Sequence, residues 1–170
     1  MHDSDLHSAL RELQDQEAIR TLLAEYCRHV DRNDADALAT RVFAEDGCFE
    51  LGARHAVIGR ENLRRMFART LCVFSATSHH VSNIVIRMTG PDTAESTAYV
   101  YAWHRHVDND RRIDLWGRYQ DQHRRTGDGW RIQNRRLTVA GSDGWDNPPF
   151  EGVERLPNPT ETLPPTITRR

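Results

Sequence analysis

The chain has 170 residues, 38% of them apolar, with 23 basic side chains against 25 acidic ones and a formal net charge of −2. Both signs are mixed along the chain, which excludes the concentrated basic footprint of a nucleic-acid or anionic-membrane binder. Every basic residue is arginine, and without a lysine amine neither Schiff-base and pyridoxal chemistry nor a Walker-type phosphate loop is possible. The length suits one domain with its own core.

From about Ser8 to Asp31, apolar residues recur at three- and four-residue steps (Leu10, Leu13, Ile19, Leu22, Leu23, Tyr26, Cys27, Val30), which predicts an amphipathic helix. The start, MHDSDLHSAL, lacks the basic-then-apolar layout of a secretory leader, and no apolar run reaches membrane-spanning length, so a cytoplasmic protein is expected. Asn33-Asp34 offers a side-chain cap for a short helix ending near Phe43, and Glu45-Asp46-Gly47 marks a turn. A hairpin is expected around Cys48 to Ile58, and Gly59-Arg60-Glu61-Asn62 opens a third helix with Leu63, Met66, Phe67 and Leu71 facing inward.

The period then changes from helical to alternating, with strands expected near 79–89, 94–107, 112–125 and 130–141. Their connectors (Thr89-Gly90-Pro91-Asp92, Asp108-Asn109-Asp110, Thr126-Gly127-Asp128-Gly129) are short and rich in turn residues, which predicts an antiparallel meander. Three helices followed by a meander make an α+β domain over residues 1–142, a curved antiparallel sheet with helices over one face and a ligand cavity between them. Residues 143–170 hold six of the seven prolines and read as an extended tail, in which Trp145 and Phe150 either cap the pocket, cap a neighbouring subunit, or pack on the surface. Cys27, Cys48 and Cys72 are scattered and odd in number, which supports neither a disulfide framework nor a zinc knuckle.

Asp31 follows the buried stripe of the first helix and sits at its C-terminal end, where the helix dipole disfavours a carboxylate. It needs a partner there, or it caps the following turn. His79 and His80 are adjacent on a strand, so one points into the concave face and the other away. An inward histidine is either a hydrogen-bonded core residue or, beside a carboxylate that fixes its tautomer, a proton carrier. His104 and His106 share a strand face, but that spacing is the default on any strand and no third ligand is set, so no metal is assigned. Tyr99, Tyr101 and Trp103 occupy the opposite face, as core, interface or pocket wall. Of Arg135 and Arg136, the inward one needs an anion to pair with and can polarise a leaving group or enolate.

Tyr26-Cys27-Arg28-His29-Val30-Asp31, Phe43-Ala44-Glu45-Asp46-Gly47, His79-His80-Val81-Ser82-Asn83 and Trp130-Arg131-Ile132-Gln133-Asn134-Arg135-Arg136, in that order across about residues 10 to 140, resemble the SnoaL-like branch of the nuclear-transport-factor-2-like superfamily. Within it, the likeness is to lyases with an aspartate–histidine dyad: scytalone dehydratase, hexachlorocyclohexane dehydrochlorinase and bile-acid dehydratase. The resemblance implies a cone-shaped fold, with Asp31 and His79 as the dyad; it selects His79 over His80 through Asn83, four residues on. It also implies Tyr26 as a pocket tyrosine that polarises a carbonyl or hydroxyl, and Arg135 as the arginine that assists a leaving group. Asn83, Phe67, Trp103 and Trp145 are the expected pocket residues.

The expectation is a cofactor-independent lyase, of the dehydratase kind, acting on a small cyclic apolar molecule, with no metal and with a homodimer or trimer as the assembly. The fold also hosts isomerases, polyketide cyclases and the noncatalytic small subunit of ring-hydroxylating dioxygenases, which stand as alternatives.

Overall fold

The computed structural model describes residues 3–52, 55–145 and 148–156. Three helices, α1 (Asp3–Asp31), α2 (Ala35–Ala37) and α3 (Arg60–Leu71), lie against one seven-stranded sheet. Its strands are β1 (Phe43–Glu50), β2 (Ala56–Ile58), β3 (Phe74–Gly90), β4 (Thr93–His106), β5 (Arg112–Thr126), β6 (Gly129–Asp143) and β7 (Glu151–Gly152). No helix among the described residues is long and apolar enough to cross a membrane.

Helix α1 packs only from Asp15 onward. Ile19, Leu22, Leu23, Tyr26, Cys27 and Val30 are buried, whereas Leu10 and Leu13, which share the predicted stripe, are 51% and 62% exposed because the first three turns run beyond the sheet. The packed part is pinned by Asp15, which accepts from Trp130 Nε1 at 3.1 Å and pairs with Arg125 across the end of the sheet. The helix ends as the sequence suggests: Asn33 takes a left-handed φ of 55° and its N–H returns to the Val30 carbonyl, while Asp34 accepts from the Ala37 N–H at 2.9 Å. A π-helical turn, Leu38–Val42, continues α2 into β1 and buries Leu38, Ala39 and Val42.

The strands run in the order β2-β1-β6-β5-β4-β3, and β3 to β6 form the expected antiparallel meander. The sheet is nevertheless mixed rather than wholly antiparallel. β1 pairs parallel with β6 at residues 132–136, and β7 extends the same edge by pairing parallel at Thr138 and Val139. The stretch after Ser142 is therefore built into the sheet in its first part, instead of trailing as a tail from residue 143; residues 157–170 lie outside the described residues.

Alternation sorts β4 and most of β5 cleanly. On β4, Ala94, Ser96, Ala98, Val100, Ala102 and His104 face the helices, while Tyr99 and Tyr101 face out. Bulges break the ladder at Ser82/Val85 and at Trp116/Gly117, bending the sheet so that its inner face becomes concave. At Gly117 a Cβ would lie 2.6 Å from the Thr138 carbonyl oxygen, so the bulge requires glycine there. Helices laid over a bent sheet leave one end open between α1, α3 and the strands.

Candidate active site

That opening is a cavity of about 410 Å³, walled by Val30, Phe49, Leu51, Met66, Phe67, Leu71, Phe74, Ala102, Leu115 and Leu137. Its polar groups are few: His79, His104, Tyr26 and Tyr119 within, and Arg69 and Thr70 at the rim. A concavity of similar size, about 460 Å³, lies elsewhere, lined by polar side chains including Arg87, Glu95, Gln122 and Arg136. It holds no comparable convergence of an apolar wall with proton-carrying groups, which is what marks the first as the candidate site.

Asp31, the last residue of α1, reaches β3 and is satisfied there. It accepts from Thr77 Oγ1 at 2.9 Å, from the His79 backbone N–H at 3.0 Å and from His79 Nδ1 at 2.8 Å. Partial burial pushes its carboxyl up, but the hydrogen bonds from the His79 ring and backbone and from Thr77 outweigh that and hold it below the usual carboxylate range. An ionised Asp31 makes Nδ1 the protonated nitrogen of His79, which leaves the Nε2 lone pair as the basic atom of a ring only 8% exposed. Its neighbour His80 points to the opposite face, stacked on Tyr101 and bonded to Ser78 Oγ.

His104 was legible only as one half of an H-x-H pair, yet it sits edge-on to His79 with ring centroids 5.1 Å apart. Burial, then the neighbouring His79, push its pKa down to about 4, so it is a neutral imidazole at neutral pH. Nδ1 faces the Ile113 carbonyl oxygen at 3.3 Å as donor, and Nε2 is then an acceptor. The signal was strand parity: His104 lies on the same face of β4 as Ala102 and Val100. His106 instead packs edge-on against Phe74, and among the described residues no group of three His, Cys, Asp or Glu is arranged to hold a metal.

Tyr26 lines the cavity five residues before Asp31, with its ring edge-on to Phe67 and Tyr119 at interplanar angles of 66° and 79°. Phe67 and Trp145 are also lining residues, and Trp145 packs edge-on to Phe150 at 5.9 Å. The segment after β6 is thus folded over the mouth: Ser142 Oγ donates to the Trp145 carbonyl, Glu151 pairs with Arg136, and the Pro149 carbonyl approaches Gly52 so closely that a Cβ there would lie 2.6 Å away.

Three expected site residues are placed otherwise. Asn83 is exposed at the β3 bulge with φ 50°, a left-handed position that asparagine tolerates, and does not line the cavity. Trp103 lies on the outer face beneath Arg105, because the pleat that turns His104 inward turns its neighbour out. Arg135 is fully buried but below the cavity wall, in a bidentate pair with Asp121 at 2.8 and 2.6 Å. Its charge is committed before any ligand enters.

The SnoaL-like domain family matches residues 11–136. No curated protein matches the chain. Among solved structures, a proposed scytalone dehydratase from Novosphingobium aromaticivorans superposes with a TM-score of 0.82 at 24% identity, covering 88% of this chain and 99% of the other. A proposed aromatic ring hydroxylase from the same organism gives 0.70 at 30% identity, covering 75% and 90%. A type 2 hexachlorocyclohexane dehydrochlorinase, LinA, gives 0.72 at 17% identity, covering 88% and 98%, a likeness of fold alone.

Proposed function

The chain belongs to the SnoaL-like domain family, and we propose that within it the protein is a cofactor-independent lyase that eliminates water from a small cyclic, largely apolar substrate. The observation that carries this reading is the Asp31–His79 contact of 2.8 Å at the wall of an otherwise apolar cavity. His79 Nε2 takes a proton from carbon, and Asp31 keeps the ring oriented and stabilises the imidazolium that forms. Tyr26 hydrogen-bonds the substrate oxygen on which charge develops. Neutral His104 offers an acceptor to a substrate hydroxyl without repelling the imidazolium beside it. His79 then returns its proton to the departing hydroxyl, so substrate becomes alkene and water and the enzyme is unchanged. Proton transfer of this kind calls for no metal or nucleotide. Phe49, Phe67, Trp145 and Phe150 supply the flat apolar contacts that suit a ring.

The test is turnover of cyclic β-hydroxy ketones, followed by the absorbance of the conjugated enone. His79→Ala is expected to abolish it with the fold intact by circular dichroism; activity retained in that variant refutes the mechanism. The same parts can shift a proton between carbons, and an isomerase is distinguished by product without loss of water. The likeness to a proposed ring hydroxylase supports a second reading, a noncatalytic subunit in which the dyad shapes the cavity. That reading requires a larger partner chain to co-purify, whereas the lyase is expected to be a homodimer or trimer alone.

A further inference from the structure

The mouth of the cavity carries a charge that the proton-transfer step does not use. Among the described residues lining the cavity none is a carboxylate, and one is a permanent cation: Arg69, in the last turn of α3 at the rim. The other charges close by are committed elsewhere. Asp31 lies behind His79 with its donors in place. Arg135 lies beneath the cavity, its central carbon 4.0 and 3.9 Å from the Tyr26 and Tyr119 ring centroids, and is paired with Asp121. On α3 itself Arg64 and Arg65 both pair with Glu61, whereas Arg69 meets no acidic side chain among the described residues. Thr70 beside it turns its hydroxyl back to the Met66 and Phe67 carbonyls, which leaves Arg69 as the polar rim group that can meet a ligand. Burial of Phe67 and Leu71 on either side fixes this turn against the sheet. The helix dipole favours a cation anywhere in that turn; at the mouth of an apolar cavity the same cation also faces whatever a ligand carries at its outer end.

We propose that Arg69 selects substrates bearing a carboxylate, held by the guanidinium at the rim while the apolar ring fills the cavity and presents its reacting carbon to His79. The inference rests on the lyase reading and narrows its substrate from a cyclic apolar molecule to an amphipathic one, a cyclic β-hydroxy ketone with an acid on a short arm. Desolvation sets the orientation. A carboxylate pushed inward would give up its water among Phe49, Leu115 and Leu137 with no cation to receive it. At the rim it keeps part of its hydration and gains a planar donor that can bind both of its oxygens. The ring therefore enters one way round, and the carbon farthest from the acid is the one brought to the dyad. A phosphate fits less well, because its second negative charge finds no second cation among the described lining residues.

The test is binding to the full chain by calorimetry, at neutral pH and low salt, of 3-(2-naphthyl)propionate and of its primary amide, which share a shape and differ in charge. The wild type is expected to bind the carboxylate about fivefold more tightly than the amide, the upper end of what a part-exposed ion pair supplies. Arg69→Gln is expected to bring that preference below about twofold while binding the amide within about twofold of wild type. Salt near 1 M should shrink the wild-type preference in the same way. Arg64→Gln, which removes an equal charge already bonded to Glu61, is expected to leave the preference intact. A wild-type preference below about twofold, one that survives in Arg69→Gln, one that Arg64→Gln removes equally, or binding of neither probe overturns the proposal. In turnover, Arg69→Gln is expected to raise KM for a carboxylated β-hydroxy ketone about fivefold with kcat within about twofold, and to leave both unchanged for an uncharged one. His79→Ala separates the two readings, since it is expected to keep the binding preference and lose turnover. Turnover without the preference defeats this inference alone, and the preference without turnover defeats only the lyase.

Discussion

Removing one partner of the Asp121–Arg135 pair should damage the fold far more than removing both. In Asp121→Leu the guanidinium remains wholly buried between two rings, with both of its hydrogen bonds to Asp121 gone and Nη1 already unpartnered. Stranding a buried charge in this way costs about 3–5 kcal/mol, a large share of the roughly 5–15 kcal/mol that holds a typical domain. With a urea slope of about 2 kcal/mol per molar, a loss of about 4 kcal/mol moves the unfolding midpoint down by about 2 M. Asp121→Leu/Arg135→Met removes the charge together with its partner and fills similar volume, so it should fall within about 1 kcal/mol of wild type. The assay is urea unfolding by intrinsic fluorescence on wild type, both single variants and the double. A single variant that loses less than about 1 kcal/mol means the guanidinium finds water or another partner. A double no better than Asp121→Leu means the stack is held by packing and not by the pair; either result refutes the reasoning.

Asp31→Asn should lower stability at neutral pH by on the order of 1 kcal/mol, from weakened bonds to Thr77 and His79 and discounted for partial exposure. Because the folded Asp31 carboxyl lies below its unfolded value, its contribution is fully present above about pH 4 and is lost as pH falls through the folded value. The gap in midpoint between variant and wild type should therefore be full at pH 7 and narrow steadily as the pH is taken below about 4, and a gap that does not narrow contradicts the assignment. Gly144→Ala, at φ 74° with a Cβ only 2.0 Å from the Arg112 carbonyl oxygen, should cost about 1–3 kcal/mol by thermal melt, and an unchanged melt would mean that the turn before Trp145 is not fixed. Leu10→Gln, on the exposed half of α1, should change stability by less than about 0.5 kcal/mol; a loss above about 1 kcal/mol would mean that another chain covers that stripe.

Most elements were legible because their signals are local. The stripe Ile19 to Val30, the cap at Asp34 and the turn residues between β3 and β6 each depend on neighbours within four positions, and each element forms where they indicate. What escaped depends on contacts distant in sequence. The parallel pairing of β1 with β6 joins residues some ninety positions apart, and nothing in either strand alone announces it. Helix position and residue type single out Asp31 and His79 separately, and only the family resemblance pairs them; their contact exists because α1 crosses β3. His104 and Trp103 are adjacent on one strand, so parity allows only one of them inside, and the register of β4 on β3 decides for the histidine. Arg135 faces inward as the alternation with Arg136 allows, yet its depth, one layer below the cavity, is set by Tyr26 and Tyr119 lying over it.

The division of labour within the cavity follows from how each polar group is satisfied. Asp31 has its donors and Arg135 has Asp121, so neither charge is offered to the ligand. What remains within the cavity for a ligand is His79 Nε2, the neutral His104 and two tyrosines, on α1 and the strands of the meander, with Arg69 and Thr70 of α3 at the rim. Those elements are fixed by core packing, which holds the polar groups in place before any ligand enters. The aromatic wall opposite is different in origin: Trp145 and Phe150 come from the stretch with the least periodic sequence, held by a short parallel pairing, the Arg136–Glu151 ion pair and the Ser142 bond to the Trp145 carbonyl. A change there alters the shape available to a ring while leaving His79 and Tyr26 where they are. On the proposed reading, substrate range is thereby encoded separately from proton transfer.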